Sequence, residues 1–299
     1  KLWLNWPRPI KALSRHLKAS WRPESHAGRT RKPLVNRLNP CSVAEMNRRN
    51  FLRSSAAGSF LIASQPQTLM ALAKDNAYRK NIGLQLYTLR NEIAKDTAGT
   101  LKAVAEAGYK QGEMYGFPKA DGMVKAAKDV GLVLNSSHFE WDSVVNPKDA
   151  GMSDFMKTLE AAKKVGLKHL VIPYLADKDR KTADDYKRVA ENCNKAAVKA
   201  KEAGIQLAYH NHAFEFEKKE GGVTGFDVFI KEFSPDMKFE VDAFWIKVGG
   251  QDPGAFIKKL KGRVTQVHLK DLKEGLTLPH FASVPKDAFQ ELGDGIIPT

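Results

Sequence analysis

Four times in this chain a helix-forming stretch runs into a glycine and then directly into a short apolar run, at Gly108, Gly131, Gly166 and Gly204. Glycine closes a helix in the left-handed conformation without steric cost, so each of these positions marks a helix-to-strand connection. Around these marks the chain alternates. Strands are predicted over residues 82–89, 109–115, 132–138, 169–174, 205–212, 238–244 and 264–270. Between them, helices are predicted over 97–107, 119–130, 152–165, 183–203 and 225–233, with a last one opening at Asp252-Pro253, where proline suits the first helical turn. Seven strand–helix units joined in parallel define an α/β fold. A doubly wound open sheet would carry G-x-G-x-x-G after its first strand, and this chain does not. An eight-stranded (β/α)8 barrel is therefore expected. Residues 74–299 fall short of the ~250 that such a barrel uses, and the stretch from Glu291 to Thr299 stops within a unit. The expectation is a TIM barrel truncated at its C-terminus, without the eighth strand and final helix.

The net charge of +14 raises the possibility of a nucleic-acid partner, but its distribution argues against one. Residues 1–73 hold 13 of the 48 Lys and Arg and only 2 of the 34 Asp and Glu, so that segment accounts for +11 and the rest for +3. A nucleic-acid-binding domain keeps its basic patch on the folded face. Residues 1–45 are basic, aperiodic and rich in Pro and Trp, and read as a disordered or non-native upstream extension. Met46 then opens Asn47-Arg48-Arg49-Asn50-Phe51-Leu52-Arg53, followed by a mildly apolar run and by Ala71-Leu72-Ala73. Basic region, apolar region and small-residue cleavage site in that order resemble a twin-arginine export signal over 46–73. The mature protein is expected to begin near Lys74, to work in the periplasm or outside the cell, and to keep no stable membrane insertion. No uninterrupted apolar run reaches the length of a transmembrane helix. Cys41 and Cys193 have neither metal-type spacing nor a disulfide pattern.

In a barrel, alternate strand residues face the interior, and those at the carboxyl ends build the site. On the fifth strand Ile205, Leu207 and Tyr209 face the helices, which turns Ala208, His210 and His212 inward. On the sixth, Phe239 and Val241 face out, with Glu240, Asp242 and Phe244 in. On the seventh, Val267 and Leu269 face out, with Gln266, His268 and Lys270 in. His210, Asp242 and His268 then stand at similar heights on consecutive strands. Two imidazoles and a carboxylate with an open position suit one divalent ion, Mn²⁺, Zn²⁺, Co²⁺ or Fe²⁺. A single inward histidine is more often a hydrogen-bonded core residue, and a lone aspartate a strand-end cap; three together at one end favour a metal. Glu113 and His138 end the second and third strands and either bind substrate or hold a ligand in place. Glu215 closes over a ligand or faces solvent. Lys270 serves as an electrophile or acid at a sugar oxygen, or pairs with Asp271 or another carboxylate. Trp245 stacks on a sugar face or covers the core, and Asn211 points to the outer layer or a neighbouring strand end.

These phrases carry a family resemblance. Gly83-Leu84-Gln85-Leu86-Tyr87-Thr88-Leu89-Arg90, Tyr209-His210-Asn211-His212 with Glu215-Phe216, Glu240-Val241-Asp242, Val267-His268-Leu269-Lys270-Asp271 and Gly293-Asp294-Gly295 resemble the sugar phosphate isomerase/epimerase superfamily of xylose isomerase-like TIM barrels. The resemblance implies one divalent metal held by the fifth to eighth strands, with Asp242 and His268 as ligands. Where the ketose epimerases of that superfamily carry a fifth-strand Glu that is both ligand and acid/base, this chain has His210; their eighth-strand Glu would lie beyond Thr299. The expected activity is isomerisation or epimerisation of a keto-sugar through a metal-stabilised enediolate, with His212 or Lys270 moving the proton and Glu215 assisting. The His-rich fifth strand is similar to that of inosose-dehydratase-like relatives, so β-elimination from an inosose or a 3-keto-glycoside is the alternative. A DNA-repair endonuclease of this fold would need further metal ligands and a basic face, and a non-catalytic exported sugar-binding barrel would lack the metal set. The expected partner is a small carbohydrate, with a homo-oligomer left open.

Overall fold

The computed structural model describes residues 82–298. The upstream extension and the export-signal reading fall outside those residues. Seven parallel strands run in sequential order: β1 (Gly83–Gln85), β2 (Gln111–Phe117), β3 (Val133–Phe139), β4 (His169–Ile172), β5 (Gln206–His210), β6 (Lys238–Asp242) and β7 (Val264–His268). The helices between them are α1 (Arg90–Lys95), α2 (Thr97–Glu106), α3 (Asp121–Asp129), α4 (Asp142–Val145), α5 (Ser153–Val165), α6 (Ala183–Glu202), α7 (Gly225–Glu232), α8 (Ala243–Val248) and α9 (Pro253–Lys259). A two-stranded antiparallel hairpin, β8 (Asp271–Leu272) with β9 (Phe289–Gln290), follows. None of the described helices is long and apolar enough to cross a membrane.

The sheet is curled into a barrel, as contacts across it show. Strands spaced ~4.8 Å apart would place β7 more than ~20 Å from β2 in a flat sheet. Yet Gln266 Nε2 on β7 donates to Glu113 Oε2 on β2 and to Ser136 Oγ on β3, at 2.8 Å each. Such contacts require the inward faces of β2, β3 and β7 to meet across one interior.

Local chemistry explains the element ends. α5 stops at Gly166 (φ 82°) and α6 is followed by Gly204 (φ 74°), the left-handed closures expected from the sequence. A capping box opens α6: Thr182 Oγ1 accepts from the Asp185 N–H, and the Asp185 carboxylate accepts from the Thr182 N–H. Five strands, the first and the fourth to seventh, are shorter than predicted, so His212 and Lys270 lie just beyond strand ends; for two of them a side chain explains the stop. The first ends at Gln85, because the Gln85 side-chain oxygen accepts from the Tyr87 N–H and turns Leu86–Leu89 into a 3₁₀ segment leading to α1. The sixth ends at Asp242, which accepts from the Trp245 N–H and caps α8, so Phe244 belongs to a helix.

Outside the barrel the core is strongly aromatic. Tyr209 points outward from β5 onto Phe229 at 4.7 Å between ring centroids, and Phe226 stacks on Phe239 at 5.2 Å. These outward contacts fix the parity of β5 and β6 and thereby the inward direction of His210, Glu240 and Asp242.

Candidate active site

Two register shifts set the interior. Gly112 pairs with Leu134 but Glu113 with Ser136, so Asn135 is skipped; Phe239 pairs with Val264 but Glu240 with Gln266, so Thr265 is skipped. Extra residues of this kind re-aim the side chains that follow. They align Glu113 with Ser136, Glu240 with Gln266 and Asp242 with His268. His210 is level with Glu240, one inward position below Asp242, so the three expected ligands are not at one height. Its ring still reaches up, with Nε2 3.3 Å from Asp242 Oδ2.

Two overlapping donor sets result, and His268 belongs to both. The lower comprises Glu113, His138, Glu240 and His268. His138 Nε2 lies 2.8 Å from Glu240 Oε2 and 3.1 Å from Glu113 Oε1. His268 Nε2 lies 3.0 Å from Glu113 Oε1 and 3.4 Å from Glu240 Oε2. The upper set is His210, Asp242 and His268, with His268 Nδ1 3.7 Å from Asp242 Oδ2. Both carboxylates of the lower set are fully buried, as is Asp242. The lower set is thus a potential metal site in this fold.

The electrostatics follow from burial opposed by pairing. Burial pushes Glu113 up, but His138 and His268 hold it well below the usual carboxylate range. Burial disfavours a charged His138, yet Glu113 and Glu240 raise it to about 9. His268 is likewise raised against its burial, by Glu240, Asp242 and Glu113. Asp242 is held well below its ordinary value against burial, chiefly by Lys270, whose Nζ is 2.5 Å from Oδ2. For His210, burial wins and lowers it to about 4. His212 is lowered well below an ordinary histidine by burial, with His210 and Lys270 adding repulsion. Both imidazoles are therefore neutral near pH 7, the form that binds metals and accepts protons.

The remaining expected residues take distinct places. His212 lies beside His210 (5.0 Å between centroids) within an aromatic wall of Tyr174, Phe214 and Trp245 at 5.4, 5.3 and 5.1 Å. Its Nδ1 is buried without a hydrogen-bond partner. Lys270 pairs with Asp242, not Asp271, and stands 6.0 Å from the Trp245 ring. Asp271 is buried and accepts from the backbone N–H groups of Leu272, Gly293, Gly295 and Ile297. Asn211 reaches the neighbouring strand end, where Oδ1 accepts from the Asp242 N–H at 2.9 Å. Glu215 neither faces solvent nor joins the donor sets. It is fully buried, with Oε1 accepting from Tyr209 Oη at 2.7 Å and Oε2 from the His212 N–H at 2.8 Å.

Glu240, Ser136 and Gln266 are the contributors to which sequence reading assigned no role. Strand parity already turned Glu240 and Gln266 inward, one step below Asp242 and His268, and that was the available signal. Tyr174, Phe214 and Arg180 complete the rim: the Arg180 guanidinium lies 3.7 Å over the Phe214 ring and donates to the Leu175 carbonyl.

Comparison with known proteins agrees with this architecture. Residues 101–299 match the model of a family described as xylose isomerase-like TIM barrel. An inosose dehydratase of Lacticaseibacillus casei is 23% identical over 214 residues, 64% of this chain and 71% of that protein. Another, from Mesomycoplasma hyopneumoniae (strain 7448), is 25% identical over 233 residues, 70% of this chain and 75% of that protein. Among solved structures, a sugar phosphate isomerase/epimerase from Parabacteroides distasonis ATCC 8503 superposes with a TM-score of 0.57 at 28% identity, over 66% of this chain and 82% of that one.

Proposed function

Because the chain belongs to the xylose isomerase-like TIM barrel family, we propose that it is a divalent-metal-dependent enzyme that isomerises or epimerises a keto-sugar or sugar derivative by removing the proton next to its carbonyl. The observation that carries this reading is the convergence of six acidic and imidazole side chains inside one barrel: Glu113, His138, His210, Glu240, Asp242 and His268. Their chemistry suits the ion that the family implies: hard carboxylate oxygens and imidazole nitrogens, buried, with Glu240 Oε1 and His210 Nδ1 still lacking hydrogen-bond partners. The residues that would hold it are those of the two overlapping donor sets, which share His268. When bound, a divalent ion supplies Lewis-acid polarisation of a carbonyl oxygen.

The chain's other residues provide the rest. His212 is neutral, so its imidazole accepts the α-proton and returns it to the adjacent carbon in an isomerisation; in an epimerisation a second group, for which Lys270 is the candidate, supplies the proton to the opposite face. Lys270 Nζ donates to the oxygen on which negative charge develops. Trp245, Tyr174 and Phe214 exclude water around His212 and give a sugar ring an apolar face to lie on. Glu215 acts at one remove, holding the His212 backbone N–H.

A second reading, elimination of water or a β-oxygen from the same carbanion, is favoured by the likeness to two inosose dehydratases. One experiment addresses both readings. Metal-depleted full-length protein is incubated with a panel of keto-sugars, inososes and 3-keto-glycosides in deuterated water, with and without Mn²⁺. Mn²⁺-dependent deuterium uptake at the α-carbon with the product mass otherwise conserved supports isomerisation or epimerisation, and loss of water or of an aglycone supports elimination. Turnover unaffected by exhaustive chelation would refute the metal-dependent mechanism.

A further inference from the structure

Resting on the reading of His212 as the proton carrier, we propose that Arg180 is a positioning residue for that imidazole, acting through Phe214 and Tyr174. His212 lies two residues beyond the end of β5, so the sheet does not fix its ring. Its Nδ1 has no hydrogen-bond partner either. Packing sets the plane of the ring instead. Phe214 lies parallel to it, at 6° and 5.3 Å between centroids, and Tyr174 stands edge-on, at 89° and 5.4 Å. Trp245 is tilted by 37° at 5.1 Å.

Neither Phe214 nor Tyr174 belongs to a strand. Phe214 opens the short 3₁₀ segment Phe214–Phe216, and Tyr174 follows the end of β4 by two residues. Side chains from two separate loops keep a fixed relation only when something joins them. These two meet edge-on at 5.4 Å, and Arg180 meets both. Its Cζ lies 3.7 Å from the Phe214 centroid, its Nη2 donates to Tyr174 Oη at 3.3 Å, and its Nε donates to the Leu175 carbonyl at 3.0 Å. A planar guanidinium can stack on a ring and donate from its edge at once, whereas a lysine ammonium is a point charge on a flexible stem. Phe214 is thus shared between the guanidinium and the imidazole.

Burial separates this role from that of an ordinary ion pair. Arg180 also pairs with Asp177, three residues earlier, but the Asp177 side chain is 84% exposed and that of Arg180 is 17% exposed. An exposed carboxylate returns little for desolvating a guanidinium. The contacts that account for the buried position are those to Phe214 and to Tyr174-Leu175. None of these residues belongs to the donor sets, so Arg180 bears on the site through the wall around His212.

Two measurements on the full chain test the assignment, and the first needs neither metal nor substrate. Carbethoxylation by diethyl pyrocarbonate, read by peptide mass spectrometry, should be several-fold faster at His212 in Arg180→Ala than in the parent, with the rate at His280 unchanged. The second uses whichever keto-sugar, inosose or 3-keto-glycoside exchanges its α-proton fastest in deuterated water. On it Arg180→Ala should lower kcat on the order of 10²-fold with little change in KM, and Arg180→Lys should fall between that variant and the parent. Placed in a His212→Ala background, Arg180→Ala should cause no further loss, because it acts only through that ring. If Arg180→Ala does not fold, Arg180→Lys carries the same comparisons. Unchanged labelling of His212, or losses that add in the double variant, would overturn the positioning role and leave the reading of His212 standing. Parent-like exchange by His212→Ala would overturn that reading and the proposal with it.

Discussion

Replacing Glu215 by Gln changes one buried proton-binding site, and its consequence for stability can be worked from the structure. Burial pushes the Glu215 carboxyl up to about 7, although Tyr209 Oη and the His212 N–H, both bonded to it, pull the other way. In an unfolded chain a glutamate titrates near ~4.3. Between these values the folded protein keeps a proton that the unfolded chain has released, so stability falls as pH rises through the window. At ~1.36 kcal/mol per pH unit the total loss is on the order of 3–4 kcal/mol, complete above about pH 7. Glu215→Gln removes the titration and introduces a constant cost of ~1–3 kcal/mol, because its amide can satisfy only one of the two donors. The parent should therefore be the more stable protein at pH 5, and its advantage should shrink or reverse by pH 8. Urea denaturation of both proteins at pH 5, 6, 7 and 8 measures this, since other titrating groups are common to the pair and cancel in the difference. Parallel stability curves across that range would refute the argument and mean that Glu215 is ionised throughout.

Other consequences are read more directly. Asp271→Ala strands four backbone N–H groups that now share one carboxylate, and should cost ~3–5 kcal/mol in urea denaturation. Those same bonds lower the Asp271 pKa despite its burial, so the stabilisation it gives holds above ~3.9, the unfolded value, and is lost as pH falls through the folded one. Lys270→Ala removes both the donor proposed for the substrate oxygen and the cation beside Asp242; turnover on the substrate found by the panel should fall on the order of 10²–10⁴-fold, with a smaller change in KM. Export through the twin-arginine route, which we propose from Arg48-Arg49 and Ala71-Leu72-Ala73, predicts that R48K/R49K keeps the full-length chain in the cytoplasm on cell fractionation. Unchanged export of that variant would reject the route.

The parts of this fold that were legible in the sequence are those set by local chemistry. A glycine closing a helix needs no knowledge of the rest of the chain, and Gly166 and Gly204 mark the connections they predict. Strand parity is nearly as local: Tyr209, Phe239 and Val241 are apolar positions that pack outward, and their neighbours must face the interior. What alternation cannot reveal is height. His210 and Asp242 both face in, but the register of β5 against β6 sets His210 level with Glu240. The skipped residues Asn135 and Thr265 belong to pairings between strands and leave no mark on either strand alone. Glu215 shows the same limit. Its burial depends on an outward tyrosine meeting a turn five residues later, and nothing in Phe214-Glu215-Phe216 distinguishes that from a solvated carboxylate. Parity turns Glu240 inward, but Asp242 takes the sixth-strand ligand place in the family resemblance, and nothing local to the strand gives Glu240 a role of its own. The lower donor set draws on β2, β3, β6 and β7, joining Glu113 to His268 across 155 positions of sequence. The Glu113–His268 contact thus ties β2 to β7 across the barrel interior. Loss of that contact should therefore loosen the closure of the sheet, a coupling that contacts confined to three adjacent strands would not produce.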